Sequence, residues 1–242
     1  GPLREQAIEL LNEVDPSSDP EQYNELLFLI GGNLGVLSGD FDAALPWLER
    51  SLEFAMSRSA SDFVRRSVRK LSELLWALGR EDEALLVVDG FVPRTLDGVS
   101  RYEVYQLGSW AETCRCLGRM DEAERAFRAV SAETAKRGIW NWHAHATLGQ
   151  AALEFDRGDQ RRGRLLVQRA RERYEHMGER WGMAAAELVD LNYQRLDHSS
   201  ERLARARRAR RVAEELEYTY EAGQLAQLAA GLEPTRLRLM FL

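Results

Sequence analysis

Three groups of side chains in this 242-residue sequence could do chemistry, and their spacing limits what that chemistry is. His143 and His145 are the only close histidines, and Cys114 and Cys116 are the only cysteines. Both pairs are two residues apart, whereas metal ligands sharing a helix face need a spacing of three or four, so no metal site is assigned. The same separation argues against a disulfide framework, and a reducing, cytoplasmic setting is expected. No Ser/His/Asp or Cys/His set carries a local signature of nucleophilic catalysis, so neither an enzyme nor a cofactor is expected. The third group is cationic. Arg66, Arg69 and Glu73 lie on a helical face roughly opposite an apolar stripe of Val64, Val68, Leu71, Leu75 and Leu78, with Trp76 on the flank. The arginine-rich run 201–211 turns Arg207, Arg208 and Arg211 away from a stripe of Leu203, Ala206, Ala209, Val212, Ala213 and Leu216. Glu201, Glu214 and Glu215 partly neutralise that run. The formal net charge of −6 and a pI near 5.4 argue against nucleic acid as the partner. Anion or nucleic-acid binding through helix 201–216 stands as an alternative.

The elements that must position these groups come from an internal repeat. Gly39, Gly79, Gly118 and Gly158 open similar segments, among them Gly-Arg-Glu-Asp-Glu-Ala-Leu at 79–85 and Gly-Arg-Met-Asp-Glu-Ala-Glu at 118–124. The glycines are 40, 39 and 40 residues apart, and a degenerate fifth copy surrounds Asp197–Glu201. A fixed period of this length predicts a solenoid. Each glycine ends one helical pattern and precedes another, as a left-handed C′ residue does. Ala44, Ala84 and Ala123 follow five residues later, with Gly163 and Ala204 in the later copies, and let paired helices approach closely. Gly138 and Gly178 mark a second turn in each unit, each followed by a tryptophan, Trp140 and Trp181, read as core residues between repeats; Trp142 is read as exposed. No segment sustains the period-two alternation of a strand. The expected fold class is therefore all-α, a run of antiparallel helix hairpins. First helices are placed at 20–38, 61–78, 99–117, 141–157 and 181–197, and partners at 41–57, 81–91, 120–137, 160–177 and 199–216. Residues 91–99 form the long internal loop. Residues 1–19 read as a cleavage remnant, Gly1-Pro2, plus the second helix of a preceding repeat, 20–217 as five hairpins, and 218–242 as a lone helix with an apolar tail. The chain is expected to be excised from a larger protein. No apolar run is long enough for a bilayer, so no membrane partner is expected.

The pattern resembles the tetratricopeptide repeat (TPR). Seven residues before each turn glycine stand Gly32, Ser72, Ala111 and Ala151, all small as that family requires. The period near 40 departs from the family's 34, and the usual closing proline is missing. Long-period repeats of this type resemble those of bacterial signalling and transcriptional regulators. The resemblance implies a right-handed α-solenoid, a non-enzymatic binding module for a protein, a peptide or a small-molecule effector, and a sensor or interaction role in a larger regulatory protein. By register it implies a groove lined by Asn33, Arg66, Arg69, Glu73, Trp76, Tyr105, Glu112, Arg115, His145 and Tyr193. Asn33 with Arg66 and Arg69 could hold a carboxylate or phosphate, because a guanidinium donates in a planar fork. The competing reading is a self-assembling scaffold: Leu237-Arg238-Leu239-Met240-Phe241-Leu242 is mostly apolar and would cover an exposed core edge, its own or that of another copy in a homo-oligomer.

Overall fold

A computed structural model describes residues 2–35, 39–92, 100–193, 200–216, 219–230, 232, 237 and 239. Over these residues the protein is all-helical, with α1 (Pro2–Glu13), α2 (Pro20–Phe28), a π-helical segment (Leu29–Gly35), α3 (Phe41–Ser57), α4 (Ser61–Ala77) and α5 (Glu81–Asp89). There follow α6 (Arg101–Cys116), α7 (Met120–Lys136), α8 (Trp140–Asp156), α9 (Gln160–Met177), α10 (Arg180–Tyr193), α11 (Ser200–Glu215) and α12 (Thr219–Ala229). Among the described residues no helix is long and apolar enough to cross a membrane. The chain divides into two compact units, Gly1–Val92 and Pro93–Leu242. The division falls in the loop expected at 91–99, of which 93–99 lie outside the described residues. Within each unit every helix packs on the next; in the second, α8 also touches α6 and α10, and α10 touches α12.

The turns repeat one hydrogen-bond pattern, and that pattern fixes the period. At Gly79 the amide donates to Trp76 O, and the next amide, Arg80, reaches back to Leu75 O. The same pair of bonds recurs at Gly118, Gly138, Gly158 and Gly178, each with φ between +68° and +89°. This is a Schellman closure, and it satisfies carbonyls that a helix end would otherwise leave bare. The residue after the glycine also begins the next helix: Ala84 N donates to Arg80 O and Ala123 N to Arg119 O. One residue closes a helix and opens another, so the partners fold back tightly. Acidic side chains then occupy the first turn of α5 and α7. Where the turn between α3 and α4 needs the same closure, Ser59 supplies it at φ 55° without a glycine.

The repeat is kept close by missing side chains. Ala44, Ala84, Ala123, Ser72, Ala111 and Ala151 are fully buried, while Ala204 is only half-buried. A Cβ at Gly163 would lie 2.5 Å from the Phe155 ring, and one at Gly182 2.0 Å from the Tyr174 ring. Phe127 presses on Gly149 in the same way, at 2.3 Å. Three expectations are corrected. The helix expected over 20–38 changes after Phe28 into a π-helical segment, and residues 36–38 lie outside the described residues. There the Gly31 backbone meets α3 so closely that a Cβ would be 2.9 Å from Leu48 N and Trp47 Cβ. The tryptophans also exchange roles: Trp142 is buried and Trp140 is 49 % exposed. Trp140 opens α8 under the Arg173 guanidinium of α9, 5.4 Å from its ring centroid, whereas Trp142 stacks on Tyr105 at 3.9 Å. Trp181 is half-buried against the core of the second unit. The degenerate fifth turn and the end of the expected helix 181–197 lie in 194–199, outside the described residues.

The turn chemistry has two signed consequences. Non-glycine residues in the left-handed region cost about 1–2 kcal/mol, so Ser59→Gly should raise the unfolding free energy by up to about 1 kcal/mol after the added chain entropy of glycine. Gly158→Ala should lower it by about 1–2 kcal/mol; no atom lies within 4 Å of the new Cβ, so the whole effect is backbone strain. Urea midpoints at unchanged slope measure both.

Candidate functional site

In the first unit, α4 carries the predicted cations, and the carboxylates they hold are the protein's own. The Arg66 guanidinium forks onto Glu25 at 2.7 and 2.9 Å and lies over the Phe28 ring, 4.4 Å from its centroid. Arg69 donates to Glu73 at 3.1 Å, and Lys70, which the sequence reading did not select, donates to the other Glu73 oxygen at 3.0 Å. The sequence places Glu73 opposite the apolar stripe, among the groove residues. It is fully buried, and so is Lys70, because α4 is packed by α3 on one side and α5 on the other. The two cations facing Glu73 offset the cost of burying such a polar group. Trp76 is buried as well. Asn33 falls within the π-helical segment, and its side chain is outside the described part of the structure. Beneath these charges, Ser51 links α3 to both neighbours: its hydroxyl bonds Asn24 Oδ1 at 2.9 Å and lies 3.0 Å from Ser67 Oγ.

In the second unit the predicted residues separate into two groups. Tyr105 and His145 belong to an aromatic row across the N-terminal halves of α6, α8 and α10. Tyr105 stacks on Trp142, Trp142 meets His145 edge-on at 5.5 Å, and His145 meets Trp181 edge-on at 4.6 Å. The Tyr174 hydroxyl lies 2.7 Å from His145 Nδ1. Burial lifts the Tyr174 phenol well above its usual pKa, with the Glu179 charge adding to the effect.

Glu112, Arg115 and Tyr193 form the second group, near the C-terminal ends of the same helices. Arg115 is 1 % exposed. It forks onto Glu112, with Nε to Oε2 at 2.9 Å and Nη2 to Oε1 at 2.7 Å. Its Nη1 donates to Asp156 and to the Tyr193 hydroxyl, the latter at 3.1 Å, and Tyr193 in turn donates to Asp156 Oδ1 at 2.7 Å. Burial alone would favour a neutral guanidine, but Cys116, Glu112 and Tyr193 around it hold the Arg115 pKa well above its ordinary value. Burial raises the Tyr193 phenol too; the Arg115 charge opposes that rise and the Asp156 carboxylate reinforces it.

The cluster is occupied by another stretch of the same unit. Arg115 Nη2 donates to the carbonyl of Leu237, and the amide of Leu239 donates to Glu112 Oε1 at 2.7 Å. The side chains of Leu237 and Leu239 are buried in the core with Phe155, Leu188 and Tyr193. One residue thus supplies a backbone acceptor and the second residue after it a backbone donor. Spacing and charge could not reveal Asp156 or Cys116 as members of this cluster. The alternation Leu237-x-Leu239 was the one available signal for the segment.

Two arginines of helix α11 reach α10, and a third pairs within the helix. Arg202 is buried and donates to Leu191 O, Arg205 bonds Glu187 and Asp190, and Arg210 bonds Glu214. The stripe of Ala206, Ala209 and Ala213 is buried, while Arg207, Arg208 and Arg211 are exposed. Compared with known proteins, the sequence matches no family model and no curated protein.

Two outcomes follow from the buried polar groups. Glu112→Ala leaves the Arg115 charge short of its main partner in a desolvated site and should cost about 3–5 kcal/mol, measured by chemical denaturation. The raised phenols of Tyr174 and Tyr193 stabilise the fold fully below about pH 10, where unfolded tyrosine keeps its proton, and this contribution is lost as pH rises further. Urea midpoints should therefore fall above pH 10 in the wild type, and fall less in Tyr174→Phe with Tyr193→Phe.

Proposed function

We propose that this chain is a non-enzymatic binding module, a TPR-like solenoid of helix hairpins whose second unit takes a protein segment or peptide in extended form. The observation that carries the reading is the main-chain clamp on α6, where Glu112 accepts from one backbone amide and Arg115 donates to a backbone carbonyl. Such a pair reads the peptide backbone itself, as strand addition does, and leaves side-chain pockets to set specificity. The repeat supports the solenoid, since the turns at Ser59, Gly79, Gly118, Gly138, Gly158 and Gly178 share one closure and Ala44, Ala84 and Ala123 are buried alike. The family resemblance supports a role as the interaction region of a regulatory protein. The first unit fits the same reading less directly, because Arg66 and Arg69 already hold Glu25 and Glu73. A nucleic-acid role draws little support from α11, whose Arg205 is shared between two carboxylates.

Random peptides displayed on phage and selected on the full chain test this reading. Enriched peptides should bind about tenfold more weakly, by fluorescence anisotropy, to Glu112→Gln and Arg115→Lys, variants that retain the helical circular dichroism of the wild type. No enrichment, or peptides that bind both variants as they bind the wild type, overturns it.

A further inference from the structure

We infer that the α6 site selects extended segments with leucines two residues apart, and that residues 237–239 are a built-in occupant which a ligand must displace. The inference rests on the peptide-binding reading above and names its ligand class. Three observations carry it. The bonds that Leu237 and Leu239 make to the Arg115 and Glu112 side chains fall on their backbone atoms, Leu237 O and Leu239 N, so this clamp is indifferent to sequence. Sequence enters through the two side chains, which are 2 % and 4 % exposed and belong to the apolar surface formed by α8 to α12. That surface includes Phe155 stacked on Tyr193 at 4.7 Å, a broad apolar wall suited to branched aliphatic side chains. Lastly, Cys116 lies fully buried under the segment, its Sγ 3.6 Å from Leu237 O, so its thiol reports whether the segment is in place.

Occupation in cis sets the strength a ligand needs. A tethered segment competes at an effective concentration of about 1 mM, so where its own affinity is about 10 μM it weakens an incoming ligand about hundredfold. The charge arrangement gives the exchange a reason to be two-sided. Without an occupant, the amide-accepting oxygen of Glu112 and the carbonyl-donating Nη2 of Arg115 would each lose one bond, but the ion pair between them would persist. The empty site is thus a defined state, ready to take another backbone.

The test uses the full chain and a fluorescent peptide with the sequence of residues 232–242. Wild type is compared with Leu237→Asp/Leu239→Asp, and with Leu237→Ala/Leu239→Ala should the first pair lose its helical circular dichroism. The opened variant should bind the peptide about hundredfold more tightly than wild type, and its Cys116 should react faster with a thiol reagent until peptide is added. A peptide carrying Asp at both leucine positions should not bind. Equal binding by wild type and opened variant overturns the built-in occupant. Binding of the Asp-substituted peptide, or no binding of either peptide, overturns the leucine pattern. If the opened variant instead takes up phage-selected peptides lacking that pattern, the ligand class fails while the peptide-binding reading stands. If it takes up none, both fail. Peptide binding that vanishes as dimer accumulates with rising chain concentration, read by light scattering, would assign the occupant to a second copy and overturn the cis assignment.

Discussion

A guanidinium that has left water must find its partners within the fold, and the second unit is arranged around that demand. Arg115 cannot shed its charge at any ordinary pH, so its donors have to be met by oxygens from elsewhere in the unit. Glu112 is a turn away on α6, Asp156 comes from the end of α8, Tyr193 from the end of α10, and Leu237 from the far end of the sequence. Apolar packing could bring α6, α8 and α10 together in several rotations. Only one rotation of each also points these oxygens at a single cation. Specifying a unique arrangement in this way is a role that buried ion pairs fill in some proteins, even when an apolar replacement would be as stable.

The first unit solves the same problem with the opposite sign at its centre. There a carboxylate, Glu73, is the buried group, and two cations from its own helix, Arg69 and Lys70, attend it. All three lie on α4, so these two ion pairs lie along one helix. In the second unit the partners come from separate elements, and the charge ties those elements together. This difference explains why the second unit supports a binding reading more strongly. A site assembled from several helices and a distant stretch of the chain has parts that can be exchanged.

Much of the fold was legible in the sequence because its determinants are local. The turn glycines at 79, 118, 138, 158 and 178 act through φ and two backbone bonds, and no distant contact is needed to read them. The site was legible in part. Register placed Glu112, Arg115 and Tyr193 on one side of the first helices, but their burial depends on Leu237 and Leu239, far away in sequence. Asp156 carries no mark that separates it from any other acid near a helix end. The errors also have physical sources. Trp140 and Trp142 differ by about 200° around a helix of 3.6 residues per turn, so a small error in phase exchanges their environments. The change to π-helix after Phe28 arises from the close seat of Gly31 on α3, a tertiary contact with no local signal.

The rings that press on glycines bear on how such a chain can change over time. Phe155 with Gly163, and Tyr174 with Gly182, are pairs in which one residue occupies the volume that the other gives up. Neither member can drift alone: a methyl on the glycine strikes the ring, and loss of the ring leaves a void beside a bare backbone. Substitutions in descendants of this sequence should thus arrive in pairs at these positions. Because both pairs are eight residues apart across a turn, lengthening that turn would separate ring from glycine and penalise insertion there. The space left between repeats for inherited variation is then the exposed helix faces, not these hairpin turns.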